Sequence, residues 1–370
     1  MNLQRYHRQM LLPGIGEAGQ RRLRESHALV VGCGALGSVI IDTLARAGVG
    51  RLTIVDRDVV ELTNLQRQVL YDEADVAAGT PKAHAAKSRI AKINSEVAVH
   101  AHADDFSHRN AMKFIPGADI ILDGLDNFET RYLLNDLAVM HGLPYVYGGA
   151  VSTTGVALVV LPHSAMRQAG NPSRVKWSDA EASPCLRCVF PEAPPPGASP
   201  TCDTAGVLGP VVMTIAAHQA AQATKLLTGN LEATDRSLLS IDLWTNETRR
   251  FDVSTMRTAE CPCCGRGQFD FFNGASGSAA ISLCGRNAVQ INPTRTIADG
   301  ELNLAALAGQ MASHGRFAFN GFLLRGEFAR ERSQKGEPIE LALFPNGRAI
   351  IKGVTEPDAA RSIYAKYIGS

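Results

Sequence analysis

The stretch Val30-Val31-Gly32-Cys33-Gly34-Ala35-Leu36-Gly37 constrains this chain more than any other. An apolar run, His27–Val31, meets closely spaced glycines and then a helix-like stretch, Leu36–Ala47, that stops at Gly48. A strand that feeds a helix through a glycine turn lets the backbone approach a phosphate, whose charge then meets the helix N-terminus. A second strand, Leu52–Val55, closes on Asp56, about 20 positions on, where a carboxylate can accept from ribose hydroxyls. This context predicts a nucleotide site; glycines that serve only close helix–sheet packing are the plain alternative. The motif does not distinguish NAD, FAD and ATP, each of which offers ribose and phosphate.

The alternation continues with a helix over Pro81–Asn94, strands at Val97–His102 and Asp119–Leu122, a helix over Thr130–His141 and a strand at Pro144–Tyr147. Strands separated by such helices imply parallel βαβ units with right-handed crossovers. The expected class is therefore α/β, a Rossmann-like, mostly parallel sheet with helices on both faces. Beyond Val160 the pattern loosens. His163–Ala182 has no clear period and Glu192–Pro200 is proline-rich, so both read as mobile loops that cover a site. Val211–Leu227 is an apolar helix opened by Gly209-Pro210, and Leu238–Ile241 and Arg249–Val253 are late strands. Linker composition at Phe272–Ser278 separates a domain over residues 1–272 from a small α+β domain over residues 280–370. The latter is read as a strand near Ala288–Ile291, a helix near Leu302–His314 and a strand near Gly321–Arg325. A hairpin at Glu340–Lys352, turning on Asn346-Gly347, and a helix over Asp358–Ile368 complete it.

Composition narrows the function. With 37 basic and 36 acidic side chains, the chain lacks the basic excess that holds nucleic acid by bulk charge, so no nucleic-acid partner is expected. A hydrophobic share of 45% fills a sizeable core, and no stretch approaches the roughly 20 apolar residues of a membrane span. The N-terminus carries no apolar signal core, and a cytoplasmic location is expected. There, eight cysteines point to metal or thiol chemistry more than to disulfides.

The segment Asp56–Gln68 bears on which nucleotide is bound. A hydride-transfer enzyme needs an apolar trough here, whereas this chain supplies Asn64, Arg67 and Gln68, with Lys82 further on. Arg67 and Lys82 suit a triphosphate and its leaving pyrophosphate. Asp126 follows a buried strand, at the end where open α/β sheets hold ligands, and fits a Mg²⁺ ligand. The alternative is that Arg67, Lys82 and Asp126 are ordinary surface charges.

With these residues in view the chain resembles the ThiF/MoeB/HesA family, the prokaryotic relatives of ubiquitin-activating enzymes. The matching elements are R-Y-H-R-Q at Arg5–Gln9, G-C-G-A-L-G at Gly32–Gly37 and D-R-D-V-V-E-L-T-N-L-Q-R-Q at Asp56–Gln68. P-K-A at Pro81–Ala83, D-N-F-E-T-R at Asp126–Arg131, C-D-T-A-G-V-L-G-P at Cys202–Pro210 and paired cysteines follow in the family's order. Ala35 stands where the family usually has a third glycine. The resemblance implies an ATP-dependent enzyme that adenylates the C-terminal glycine of a small ubiquitin-like sulfur-carrier protein and releases pyrophosphate. It places Gly34 by the phosphates and Asp56 and Asn64 on the nucleoside. Arg67, Gln68 and Lys82 hold phosphates, and Asp126 positions Mg²⁺ and the reacting atoms. Arg8 would reach the γ-phosphate from the other subunit of a homodimer. The remaining candidate contacts to the nucleotide are Gly32, Leu36, Gly37, Asp58, Asn127 and Arg131. The implied setting is thiamine or molybdenum-cofactor biosynthesis, or tRNA or cysteine sulfuration, with a sulfurtransferase or cysteine desulfurase as a further partner. The Val151–Leu161 region and the helix Val211–Leu227 would support the carrier face and the dimer.

Two C-x-x-C pairs, Cys185/Cys188 and Cys261/Cys264, suit a closed, structural Zn²⁺ site that staples distant segments, with a redox dithiol as competitor. Cys263 is the less suitable fourth ligand. Cys202 stands apart, near the start of the helix at Val211. In the family a cysteine there attacks the carrier adenylate or forms an acyl-disulfide or thioester, although not every member needs it. Cys33 reads as a small buried filler, and Cys284 as a packing residue or a sulfur-relay thiol. No rhodanese domain is recognised after residue 280. Alternatives are a relative that activates another carboxylate or amide (a peptide or a tRNA-linked base), a nicotinamide oxidoreductase, and a scaffold without catalysis.

Overall fold

The computed structural model describes residues 3–164, 173–192, 205–274, 280–283, 287–292, 302–333 and 335–368. Helices α1 (His7–Met10) and α2 (Gly16–Glu25) precede strand β1 (His27–Val31), helix α3 (Ala35–Ala47) and β2 (Arg51–Val55). Then come α4 (Glu73–Ala78), α5 (Lys82–Ile93), β3 (Ala98–His102), β4 (Ile120–Asp123) and α6 (Phe128–His141). The hairpin β5 (Tyr145–Val151) and β6 (Thr154–Val160) leads to α7 (Leu186–Val189), α8 (Gly209–Thr228), β7 (Leu238–Asp242) and β8 (Glu247–Phe251).

These strands form one sheet in the order β3-β2-β1-β4-β5-β6-β7-β8. The first five run parallel, and β5 through β8 continue as an antiparallel meander. Strand order reverses between β1 and β4. That reversal opens a crevice at the carboxyl ends of the strands, the usual place for a ligand. Every residue of β1 and β4 is buried, as befits strands covered on both faces. Their alternate side chains serve two cores. Val30, Ile54 and Leu122 meet Ile40 and Leu44 of α3, Ile90 of α5 and Ile215 of α8. Leu29, Val31 and Ile121 meet Leu133 and Leu137 of α6 and the cysteine pairs. Helix α3 stops where Gly48, at φ +88°, takes the left-handed cap.

Several elements differ from expectation. Helix α2 buries only Gly19, Gln20 and Leu23, too narrow a stripe to stand out in the sequence. The Val151–Leu161 region holds the last residue of β5 and strand β6, which turns back on β5 through Ser152-Thr153. Strand β8 is an edge whose residues are all exposed, and it lies slightly N-terminal to the expected Arg249–Val253. The described part of the first expected loop, residues 173–182, is held in place. Ser173 Oγ donates to Asp119 O at 2.6 Å, Arg174 pairs with the Asp119 carboxylate at 2.9 Å, and Trp177 Nε1 donates to Pro162 O. Because Asp119 precedes β4, these residues lie at the amino ends of the strands, away from the crevice. They are not a mobile cover for it. Residues 193–200 of the second expected loop lie outside the described residues.

The chain divides into compact units at Met1–Ser276 and Gly277–Ser370. The second contains β9 (Ala280–Leu283), β10 (Ala288–Ile291), α9 (Leu304–Met311), β11 (Gly315–Phe319) and β12 (Leu324–Arg332). Strands β13 (Pro338–Leu343) and β14 (Ala349–Lys352) and helix α10 (Pro357–Tyr367) follow. Its antiparallel sheet runs β11-β12-β13-β14-β10-β9, over a core that includes Val289, Leu304, Phe328, Leu341, Ile351 and Ile363. The hairpin at Asn346-Gly347 is as expected, with Gly347 at φ +82°. Strand β12 extends well past Arg325, because charged side chains fill its outer face and only Leu324 and Phe328 point inward.

Candidate active site

Three glycines interlock where β1, α3 and β4 meet. Gly32 has φ +88°, and a side chain there would stand 2.5 Å from Gly124 O. A side chain at Gly37 or Gly124 would overlap Gly32 O. Gly34 differs: the nearest atom to a side chain placed on it is Gln68 Nε2, at 3.8 Å, so room remains above it. The packing glycines hold the turn tightly and Gly34 leaves it open. Gly124 did not stand out in the sequence, because only the β1–β4 pairing brings it to the turn. Leu36 has its side chain in the core, leaving its first-turn amide as the group a ligand could reach.

Asp56 closes β2. One oxygen accepts from Cys33 N at 2.6 Å and the other from Asp58 N at 2.7 Å. Burial pushes its carboxyl up, against the pull of Lys82. Lys82 opens α5, buried, with Nζ 3.1 Å from the Asp58 carboxylate and its amide donating to Asp58 O. Between them, Asn64 is buried in a single 3-10 turn and accepts from Glu61 N at 3.0 Å. Arg67 Nη1 donates to Thr63 O at 2.8 Å. Gln68 is 3% exposed, and its Oε1 has no hydrogen-bond partner among the described residues. An orphaned buried oxygen costs about 1–3 kcal/mol. Beside the open Gly34, it fits a site that receives a hydrogen-bonding ligand.

The loop after β4 carries Asp126, which is exposed at the same strand ends. Asn127 caps α6 by accepting from Thr130 N at 2.9 Å. Arg131 is buried and braces that loop: Nη2 donates to Leu125 O at 2.7 Å and Gly148 O at 3.1 Å, and Nε lies 3.5 Å from the Asp123 carboxylate. Burial raises the Asp123 carboxyl, partly offset by Arg131 and by the Tyr145 hydroxyl at 2.6 Å. Gln219 of α8, buried and absent from the sequence reading, donates to Asp123 O and Val146 O.

The structure thus brings Gly34, Asp56, Asp58, Gln68 and Lys82 together at the carboxyl ends of β1 and β2, with Asn64 and Arg67 on the segment between Asp58 and Gln68 and Asp126 in the loop after β4. Arg8 is not among them. It is exposed on α1, whose Gln9 bonds Ala47 O at the far end of α3. Thirteen residues of α3, or about 20 Å, separate that end from the glycine turn. Cys202 and Cys284 lie outside the described residues.

A second centre lies on the α6 side of the sheet. The sulfurs of Cys185, Cys188, Cys261 and Cys264 lie within 4.8 Å of one another. Cys185 is 3.9 Å from Cys188 and 3.6 Å from Cys261, and Cys188 is 3.3 Å from Cys264. A tetrahedral zinc with bonds near 2.3 Å has sulfur–sulfur edges of about 3.8 Å, so the four residues fit that ion. Cys263 instead accepts from Asn135 Nδ2 at 3.3 Å, while Asn135 Oδ1 accepts from Leu186 N.

Fold and site together define an α/β protein with an open glycine turn at the carboxyl ends of its parallel strands and four clustered cysteines on the α6 side of the sheet. Residues 6–263 match the ThiF family, and the chain belongs to that family. It is 41% identical over 366 residues to the sulfur carrier protein ThiS adenylyltransferase of Bacillus subtilis (strain 168), covering 99% of both chains. That likeness therefore extends through the C-terminal unit. The sulfur carrier protein adenylyltransferase of Thermus thermophilus is 40% identical over 263 residues, 71% of this chain and 91% of that one. Adenylyltransferase and sulfurtransferase MOCS3 of Mus musculus is 37% identical over 284 residues, 76% of this chain and 57% of that one. The crystal structure of E. coli MccB with ATP shares the fold at a TM-score of 0.56 and 23% identity, over 71% of this chain and 75% of that one. No described helix is long and apolar enough to cross a membrane.

Proposed function

We propose that this chain adenylates the C-terminal glycine of a small ubiquitin-like sulfur-carrier protein at the expense of ATP. The observation that carries this reading is the likeness, across 99% of both chains, to a sulfur carrier protein ThiS adenylyltransferase. The open turn at Gly34, with the Gln68 amide nitrogen as its nearest side-chain atom and the Lys82 ammonium buried beside Asp58, supports it from the side of the chemistry.

The reaction joins two anions. A glycine carboxylate oxygen attacks the α-phosphorus of ATP, the bond to the bridging oxygen breaks, and pyrophosphate leaves with that electron pair. Catalysis is then chiefly positioning and charge stabilisation. Asp56 and Asn64 hold the nucleoside, and the Gly34 and Leu36 amides face the phosphates. Arg67, Gln68 and Lys82 grip the phosphates and the departing pyrophosphate. Asp126 is the residue that would hold Mg²⁺, which supplies positive charge to the phosphate oxygens. Arg8, remote from its own turn, serves the turn of a second copy, so the active unit is a homodimer. Zn²⁺ held by Cys185, Cys188, Cys261 and Cys264 staples α7 to the segment after β8. Residues 1–272 form the adenylyltransferase domain, and a small α+β domain over residues 280–370 follows it. Cytoplasmic sulfur transfer with a sulfurtransferase or cysteine desulfurase completes the setting.

The test is ATP–pyrophosphate exchange on the full chain against small proteins ending in Gly-Gly, with the adenylate read by mass spectrometry. Carrier-dependent exchange is expected. Exchange with no carrier in the panel, together with reduction of a substrate by NADH, would overturn the reading.

A further inference from the structure

We propose that Tyr71 is a positioning residue for the nucleotide phosphates, because its hydroxyl locks the Cys33–Gly34 peptide with the Gly34 amide facing the site. This inference rests on the nucleotide reading above and adds a residue to it. Tyr71 is buried beneath the glycine turn, with Oη 2.6 Å from Cys33 O and 2.9 Å from Cys33 Sγ. Burial holds its phenol well above the ordinary range, so it stays protonated and donates.

The peptide bond is trans, so a carbonyl and the N–H that follows it point in opposite directions. Fastening Cys33 O inward onto Tyr71 therefore turns Gly34 N–H outward. That amide has no acceptor among the described residues. On its other side Cys33 is tied by its own amide to Asp56 Oδ2 at 2.6 Å. Glycine at position 34 makes this fastening necessary. With no Cβ, Gly34 permits the 33–34 peptide to rotate, and a flipped peptide would aim a carbonyl oxygen at the phosphates. One hydroxyl thus decides whether the turn presents a donor or an acceptor to an anion.

Tyr71→Phe removes that hydroxyl and keeps the ring. Calorimetry on the full-length protein would measure binding of Mg·ATP, pyrophosphate and adenosine, with melting of the ligand-free variant as the check on folding. ATP and pyrophosphate are expected to bind about tenfold more weakly, adenosine within twofold of the parent, and the melting profile to stay cooperative. Unchanged ATP binding overturns the role of Tyr71. So does an equal loss for ATP and adenosine, which would make Tyr71 a mere support of the pocket. A parent protein that binds no ATP overturns the nucleotide reading itself, and this inference with it.

Discussion

The Lys82 ammonium lies 3.1 Å from the Asp58 carboxylate, with the lysine side chain 2% exposed. A buried lysine must be paired, and this one is paired where a phosphate would compete for it. Lys82→Met should lower ATP–pyrophosphate exchange by about a hundredfold or more and cost roughly 3 kcal/mol of stability, since Asp58 loses its partner. Adding Asp58→Asn should restore the stability and not the exchange. Urea unfolding beside the exchange assay checks both, and recovery of exchange in the double variant would remove Lys82 from the chemistry.

Asp126 is exposed and Arg67 bonds a neighbouring carbonyl, so neither supports the core. Asp126→Ala and Arg67→Ala are expected to cut exchange by about a hundred- to a thousandfold while leaving the melting temperature nearly unchanged. Retained exchange in either would count against that residue's place in the site.

Removing the staple should harm folding before chemistry. Cys188→Ser, or prolonged chelation, should strip zinc and lower the melting temperature by about 10 °C or more, because structural zinc contributes many kcal/mol. Cys263→Ser should keep its metal, since that sulfur bonds Asn135. Elemental analysis of both variants decides the ligand set.

Acid should weaken the protein through its histidines. His27, His84, His102, His141 and His218 are all held below the ordinary imidazole range, each chiefly by burial. Below the unfolded value of 6.5 the unfolded chain binds more protons than the folded one, so this stability is complete above 6.5 and is lost as pH falls. Asp56, Asp123 and Asp136, whose carboxyls burial raises, act in the opposite direction, so the histidine share is read as a difference between parent and histidine variant in scanning calorimetry from about pH 7.5 to about pH 5. Both ring nitrogens of His141 are buried without a hydrogen bond among the described residues, so the melting temperature of His141→Leu should fall less, or rise more, than that of the parent as pH falls. Parallel profiles in the parent and this variant would contradict this account.

Cys202, from the family resemblance, is expected to act after adenylation. Cys202→Ala should preserve ATP–pyrophosphate exchange and abolish only a covalent link to the carrier, detected by mass spectrometry under non-reducing conditions. Loss of exchange would assign it another role.

The strand–turn–helix at Val30–Gly37, Asp56 at the next strand end and the two cysteine pairs were legible because each is a local pattern: a short run, a turn and a fixed spacing. So were β1 through β5, where apolar runs with helices between them admit little besides parallel βαβ units. What escaped was set by partners distant in the chain. Gly124 must be glycine because β4 lies against Gly32 and Gly37, and Tyr71 matters because it ends beneath Cys33. Residues 173–182 look like a loose loop until Asp119 is seen to hold them, at the end of the sheet away from the crevice.

By itself the chain's order of residues determined the class of fold and the two cysteine pairs that cluster in the structure, since these follow from periodicity and from fixed spacings. Only the folded arrangement decided which way the Gly34 amide points, which charges are already paired, and that Arg8 lies a helix length from its own turn. Those depend on distances between segments far apart in sequence, and packing, rather than local propensity, sets such distances.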